Sequence, residues 1–351
     1  MSSDKVARFT HDDYTVAWIC PMVAEQTAAI VMLDSEHERL PQPSSDHNVY
    51  TLGSVNGHNV VVVGLHTSGN NPAAVVATQM RTTFPRLRFG VLVGTAGGVP
   101  TRTTQGDIRL GHVVVSQPMG EHSGVVQYDH GKAEIGQFRR TGYLASPPTV
   151  LLNAAREMDI RRQFVQKEDP LLSHLSRIET RLRHPQRYRY PGADKDRLFK
   201  AEYLHPDPKI SCRECGCDSN SIVRRRAGYI DDDDDDDDDA DVFDQDEQFV
   251  VHRGTIATGE RVINNGHLRD KLARQYGILC FEMEAAGAST DFPCLVVRGI
   301  SHYSDSHKND RWQDYAAAAA AAYARELFFH MPVYEVKQVK MAEHISVRSA
   351  R

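Results

Sequence analysis

An α/β domain is what this sequence predicts, and two observations carry the prediction. Short runs rich in β-branched and aromatic residues alternate with segments whose apolar residues recur at helical spacing, the pattern of strands joined by helices. The chemically interesting residues, Glu25, Thr95 to Gly98, Glu282 to Glu284 and Ser301-His302, each lie at or near the end of such a run. In α/β sheets, ligand sites gather beyond the carboxyl ends of strands.

Tyr14 to Cys20 reads as the first strand, stopped by Pro21. Val23, Thr27, Ile30 and Leu33 then make an amphipathic helix with Glu25 in its first turn. Asn56-Gly57 joins Val49–Val55 to His58–Leu65 as a hairpin, because this dipeptide favours a type I′ turn. Ser68 to Pro72 turns into a helix running to about Phe84, with Pro72 expected at the first helical position. Phe89 to Gly94 is a buried-type strand. It enters Gly94-Thr95-Ala96-Gly97-Gly98-Val99-Pro100, a turn whose small side chains let a ligand approach backbone N–H groups. Leu110–Ser116 reads as a further strand, Val125–Gly131 continues as a polar, aromatic-containing stretch, and Pro147-Pro148 opens a helix through about Met158.

From 156 to 248 neither period holds, and this stretch is expected to be a low-order insertion. It contains nine consecutive aspartates, Asp231 to Asp239, within a run of thirteen carboxylates over 231–247, a block that repels itself and cannot pack. It also contains Cys212, Cys215 and Cys217, with His205 upstream. The Cys212/Cys215 spacing matches half a zinc site, but no second cysteine pair or paired histidine follows, so no metal is expected. Order resumes at Phe249, and the rest of the domain runs to 332. Residues 1–12 and 333–351 are expected to be tails, the second frayed. Six cysteines in 351 residues do not suggest a disulfide framework, and no run of about 18 apolar residues exists. The expectation is a cytoplasmic protein with no membrane or nucleic-acid partner.

The centre of the sequence is Cys280-Phe281-Glu282-Met283-Glu284-Ala285-Ala286-Gly287, an apolar strand delivering two carboxylates to the start of a small-residue helix. A carboxylate so placed can accept two sugar hydroxyls, or it can cap the helix. The last strand, Cys294 to Ile300, leads into Ser301 to Asn309. The final helix, Trp312 to about His330, contains seven successive alanines, Ala316 to Ala322.

The runs Phe281 to Ala286, Arg298-Gly299-Ile300 and Tyr303 to Asn309, with Tyr14–Leu33, His47–Gln127 and Gly254–Gly266, resemble the fungal branch of the nucleoside phosphorylase/nucleosidase superfamily, a domain found in fungal NLR-like proteins. The resemblance implies a three-layer α/β/α fold around a mixed, partly barrel-like sheet. It also implies cleavage of a nucleoside or nucleotide N-glycosidic bond without cofactor, in a protein that self-associates. By position, Met283 and Glu284 resemble the ribose-binding pair, Thr95 and Gly97 the turn facing ribose and base, and Val262 and Ile263 the purine contacts. Glu25 falls where hydrolytic members activate water; Ser301 and Lys308 are also expected to bind substrate, Lys308 lying after the last strand, where a substrate phosphate can reach it. The arginine-bearing phosphate element of the phosphorylases is absent from Cys20 to Glu25, so hydrolysis is expected over phosphorolysis. Relatives carry an aspartate, the acid for the leaving purine, where this chain has His302. A histidine can donate a proton in its charged form, or it can mark a catalytically impaired nucleotide-sensing domain.

Overall fold

A computed structural model describes residues 9–164, 168–207, 209–225 and 249–339. The predicted acidic run at 231–247 lies outside the described residues. In chain order the strands are β1 (Val16–Cys20), β2 (Ser35–His37), β3 (Tyr50–Val55), β4 (His58–Gly64), β5 (Phe89–Gly98), β6 (Arg102–Thr103), β7 (Gly106–Asp107), β8 (Val113–Ser116), β9 (Val125–Gln127), β10 (Gly131–Glu134), β11 (Gln137–Arg140), β12 (Val251–Thr258), β13 (Ile278–Glu282) and β14 (Cys294–His302). The α-helices are α1 (Val23–Met32), α2 (Asn70–Thr83), α3 (Thr149–Arg161), α4 (Pro170–Arg181), α5 (Gly266–Tyr276), α6 (Ala285–Asp291), α7 (Gln313–Phe329) and α8 (Val333–Gln338).

The main sheet runs β13-β12-β8-β14-β5-β1-β4-β3-β2 and mixes parallel with antiparallel pairs. β13 also pairs antiparallel with β5, through Cys280 opposite Gly98 and Phe281 opposite Gly97, which closes five strands into a partial barrel. The expected glycine turn is therefore corrected. β5 continues through Gly98, because residues without bulk let two strands and the Arg298 side chain converge on one short stretch.

One apolar core lies between the sheet and the layer of α1, α3, α4 and α7, and another includes residues of α2 and α6, giving three layers. Ala316 to Ala322 are all buried. A side chain at Gly299 of β14 would collide with the Ala316 carbonyl, so the alanine run serves close helix-to-sheet approach as well as helix propensity. Pro72 stands third rather than first in α2, where its missing N–H is still one that the helix would not use.

The insertion was expected to lack order over 156–248, and part of it does not. Asp169 caps α4 by accepting from Leu171 N at 2.9 Å, Pro170 opens the helix, and Leu171 and Ile178 are buried. Arg177 and Arg181 donate to the carbonyls of Val31, in the last turn of α1, and Leu33, just past its end. The described parts of the two expected tails, 9–12 and 333–339, are corrected as well, the rest of each lying outside the described residues. Phe9 stacks on His37 at 4.0 Å, and α8 buries Val336. No helix among the described residues is long and apolar enough to cross a membrane.

Candidate active site

The ends of β1, β5, β13 and β14 bring together a cluster of three carboxylates and one guanidinium. Arg298, on β14 and fully buried, donates from Nη2 to Glu282 and to Glu284 Oε2, the latter at 3.0 Å, while Nη1 lies 3.5 Å from the Thr95 carbonyl. Burial opposes its charge, but Glu282, Glu284 and Glu25 together hold the guanidinium protonated more firmly than usual. A side chain at Gly94 would strike both Arg298 and Glu25, so this glycine leaves the room in which they meet.

Glu25 is 2% exposed. Its Oε1 accepts from Thr95 N at 2.6 Å and Thr95 Oγ1 at 3.0 Å, and its Oε2 accepts from Met22 N at 2.7 Å. Burial raises its pKa, and Arg298 with these donors offsets only part of the rise. Thr95 Oγ1 also accepts from Gln313 Nε2 at 2.6 Å, so the first residue of α7 joins the site. Nothing in the local sequence marks Gln313, which arrives by tertiary packing.

Glu282, the last residue of β13, and Glu284, just beyond it, differ in what they bond. Glu282 accepts from the Glu284 and Ala285 backbone N–H groups and so caps α6. Glu284 turns away from that helix and accepts from Gly69 N at 3.2 Å, at the start of α2. Burial, then the charges of Glu282 and Glu25, raise Glu284 to about 7 against the pull of Arg298. Met283 is partly buried between them.

His302 lies opposite Gly97, across a bulge in the β14–β5 pairing. Ser304 takes a left-handed φ of 52°, which aims its N–H at His302 Nδ1, 3.0 Å away. An accepting Nδ1 leaves the proton of the neutral ring on Nε2. Burial, helped by the charge of Lys308, pushes the imidazole down to about 3. The environment thus opposes the protonated form of the ring.

The remaining predicted residues scatter. The Ser301 hydroxyl is buried and donates to the Ala96 carbonyl at 3.4 Å. Ile263 is buried in a small cluster with Tyr128, Val99 and Phe281, whereas Val262 is half-exposed. Lys308 is exposed. Residues that the sequence reading missed sit behind His302. Tyr303 donates to Asp196 Oδ1 at 2.6 Å and accepts from Arg225 at 2.7 Å, so the supposed insertion braces the loop after β14.

No family model matches the chain. A nucleotide-binding leucine-rich repeat (NLR)-like protein of Hyaloscypha variabilis is 39% identical over 318 residues, which is 90% of this chain and 29% of that protein. The ATP nucleosidase Cap17 of Escherichia coli is 34% identical over 87 residues, 23% of this chain and 17% of that protein. The chain thus spans less than a third of the length of the relatives it matches. Among solved structures, the futalosine hydrolase of Helicobacter pylori superposes with a TM-score of 0.55 at 14% identity, covering 91% of this chain and 99% of that one. With its partly closed mixed sheet between helical layers, the chain has the fold of that hydrolase.

Proposed function

We propose that this domain hydrolyses the N-glycosidic bond of a purine nucleoside or nucleotide, releasing the free base. The observation that carries the reading is the buried Glu25, fixed by Thr95 and Met22 beside a cluster in which one guanidinium faces three carboxylates. Glycosidic cleavage develops positive charge on the sugar, and an excess of carboxylates favours that charge. The C1′–N bond breaks with its electron pair on the base, a water oxygen bonds to C1′, and Glu25 takes the water's proton. Glu284 accepts sugar hydroxyls, Met283, Thr95 and Gly97 line the ribose, and Val262 and Ile263 lie against the base. The neutral His302 gives the departing base an Nε2–H hydrogen bond. Arg298 is engaged by Glu282 and Glu284 and offers no cradle for an attacking phosphate, which supports hydrolysis over phosphorolysis. The name ATP nucleosidase on a relative supports a phosphorylated substrate, with Lys308 facing its phosphates.

A second reading rests on His302. An imidazole held neutral is a weak proton source, and that favours a domain that binds nucleotides with little turnover. The deciding experiment measures free base released from adenosine, AMP and ATP in phosphate-free buffer, beside binding by calorimetry. Turnover without phosphate, lowered about 10²-fold in His302→Ala, supports the hydrolase with His302 as donor. Strict dependence on phosphate overturns hydrolysis. Binding without turnover, with cleavage appearing in His302→Asp, supports the sensor.

A further inference from the structure

The three cysteines of the 212–217 segment play no part in the site above, and the fold brings His205 beside them. His205, Cys212 and Cys217 place one ligand atom each within 4.8 Å of the others, and Cys215 Sγ lies 3.8 Å from His205 Nδ1. All four residues are partly buried. Zinc bound at about 2.3 Å to sulfur and about 2.0–2.1 Å to nitrogen holds tetrahedral ligands about 3.6 Å (S···N) and about 3.8 Å (S···S) apart, so the Cys215–His205 separation already fits and the other two cysteines need to close in by about 1 Å at most around His205.

The backbone is arranged for it. Cys215 N donates to the Ser211 carbonyl and Cys217 N to the Cys212 carbonyl, each at 2.9 Å, and Gly216 supplies the left-handed φ of 63° that completes the turn. Three sulfurs and one imidazole suit zinc, whereas calcium and magnesium prefer oxygen.

We propose that His205, Cys212, Cys215 and Cys217 bind one zinc ion as a structural Cys3His centre that fastens the 199–222 segment to the loop after β14. The connection to that loop is direct. His205 N donates to Ser306 Oγ at 2.9 Å, and Phe199 stacks on His307 at 3.9 Å with a 14° interplanar angle. Tyr203 stacks on the same imidazole at 5.4 Å, and its hydroxyl accepts from Asp218 N at 2.8 Å. His307 is thereby turned into this packing. The zinc centre and the β14 end that carries His302 share one supporting cluster.

The test uses the full chain, purified without chelator. Mass spectrometry of the metal should find about one zinc per chain, as a four-ligand closed site requires. In the chain stripped and reloaded with cobalt alone, thiolate-to-cobalt charge-transfer and intense tetrahedral bands should appear and vanish on adding zinc. Cys212→Ser and His205→Ala should lose the metal, while Cys294→Ala, at a buried cysteine elsewhere, should keep it. The cobalt spectrum of the native chain stands even if a variant fails to fold. Absence of both zinc and the thiolate–cobalt bands, or a disulfide between Cys212 and Cys217 in the freshly purified protein, overturns the site. A melting temperature unchanged by stripping a bound zinc overturns its fastening role.

Discussion

Glu25 Oε1 lies 2.6 Å from the backbone nitrogen of Thr95, a contact that ties the first turn of α1 to the far end of β5 across 70 residues of chain. The bond holds the candidate base still and keeps one lobe of its electron density occupied. Glu25→Gln removes the base and turns an amide N–H₂ toward one of the backbone donors the carboxylate now satisfies. Turnover should fall by about 10²- to 10⁴-fold. Stability should fall by about 1–3 kcal/mol, the cost of one unsatisfied buried group. Base release and urea unfolding measure the two effects separately, and turnover retained within a few-fold would remove Glu25 from the chemistry.

The pH dependence of turnover should have one sign. A carboxyl whose pKa is raised is protonated below that value, and only its ionised form accepts sugar hydroxyls or a water proton. Glu284 is raised to about 7 and Glu25 is raised in the same direction, so kcat/KM should climb from pH 5 to pH 8. His302, pushed down to about 3, stays neutral throughout, so no decline through pH 6.5 should follow from it. A profile that falls across pH 6 to 7 would restore the charged histidine as the acid.

Arg298 should be the least replaceable side chain of the cluster. It is fully buried, and it is the guanidinium shared by Glu282 and Glu284. Arg298→Met leaves carboxylates buried without their counter-charge, and breaking such a pair costs about 3–5 kcal/mol. Denaturant unfolding of the variant should show that loss at neutral pH and a smaller one at pH 5, where the raised carboxyls are protonated. A loss under about 1 kcal/mol would mean that the pair contributes little.

Gly97→Ala isolates positioning from stability. Its added methyl would collide with Ser304 Oγ and come within 2.6 Å of His302 Cε1, both side-chain atoms at the end of β14. Displacing a reacting group by about 1 Å can cost about 10²-fold in rate, which is the expected fall in kcat. Gly136→Ala, where a methyl would meet nothing within 4 Å, serves as the comparison, although its φ of 74° carries strain of its own. Equal kinetics in the two variants would show that Gly97 does not position His302.

Local chemistry in the sequence determined much of this protein. Asn56-Gly57 does turn between β3 and β4, with φ of 45° and 80°, because those two residues tolerate left-handed backbone. The apolar run ending in Glu282-Met283-Glu284 forms a strand and then opens a helix, as its composition dictates. Asp169-Pro170 is an equally local signal, a cap followed by Leu171, Leu175 and Ile178 at helical spacing, set within a stretch that has no such period elsewhere.

Tertiary structure decided the rest, because each remaining question turned on a partner distant in sequence. Which glutamate caps and which faces α2 depends on Gly69 and Arg298, and neither lies near 282–284 in the chain. Whether His302 is charged depends on burial and on Ser304's backbone, which periodicity does not encode. Gln313 reaches Thr95 only because seven alanines bring α7 against β14. His205 comes within 4.8 Å of the sulfurs of Cys212 and Cys217 only in the fold, beyond any fixed motif spacing. Sequence patterns report what neighbouring residues do to one another, whereas a pKa, a shared guanidinium or a metal cluster arises from desolvation and charge among groups that only folding brings within a few ångströms.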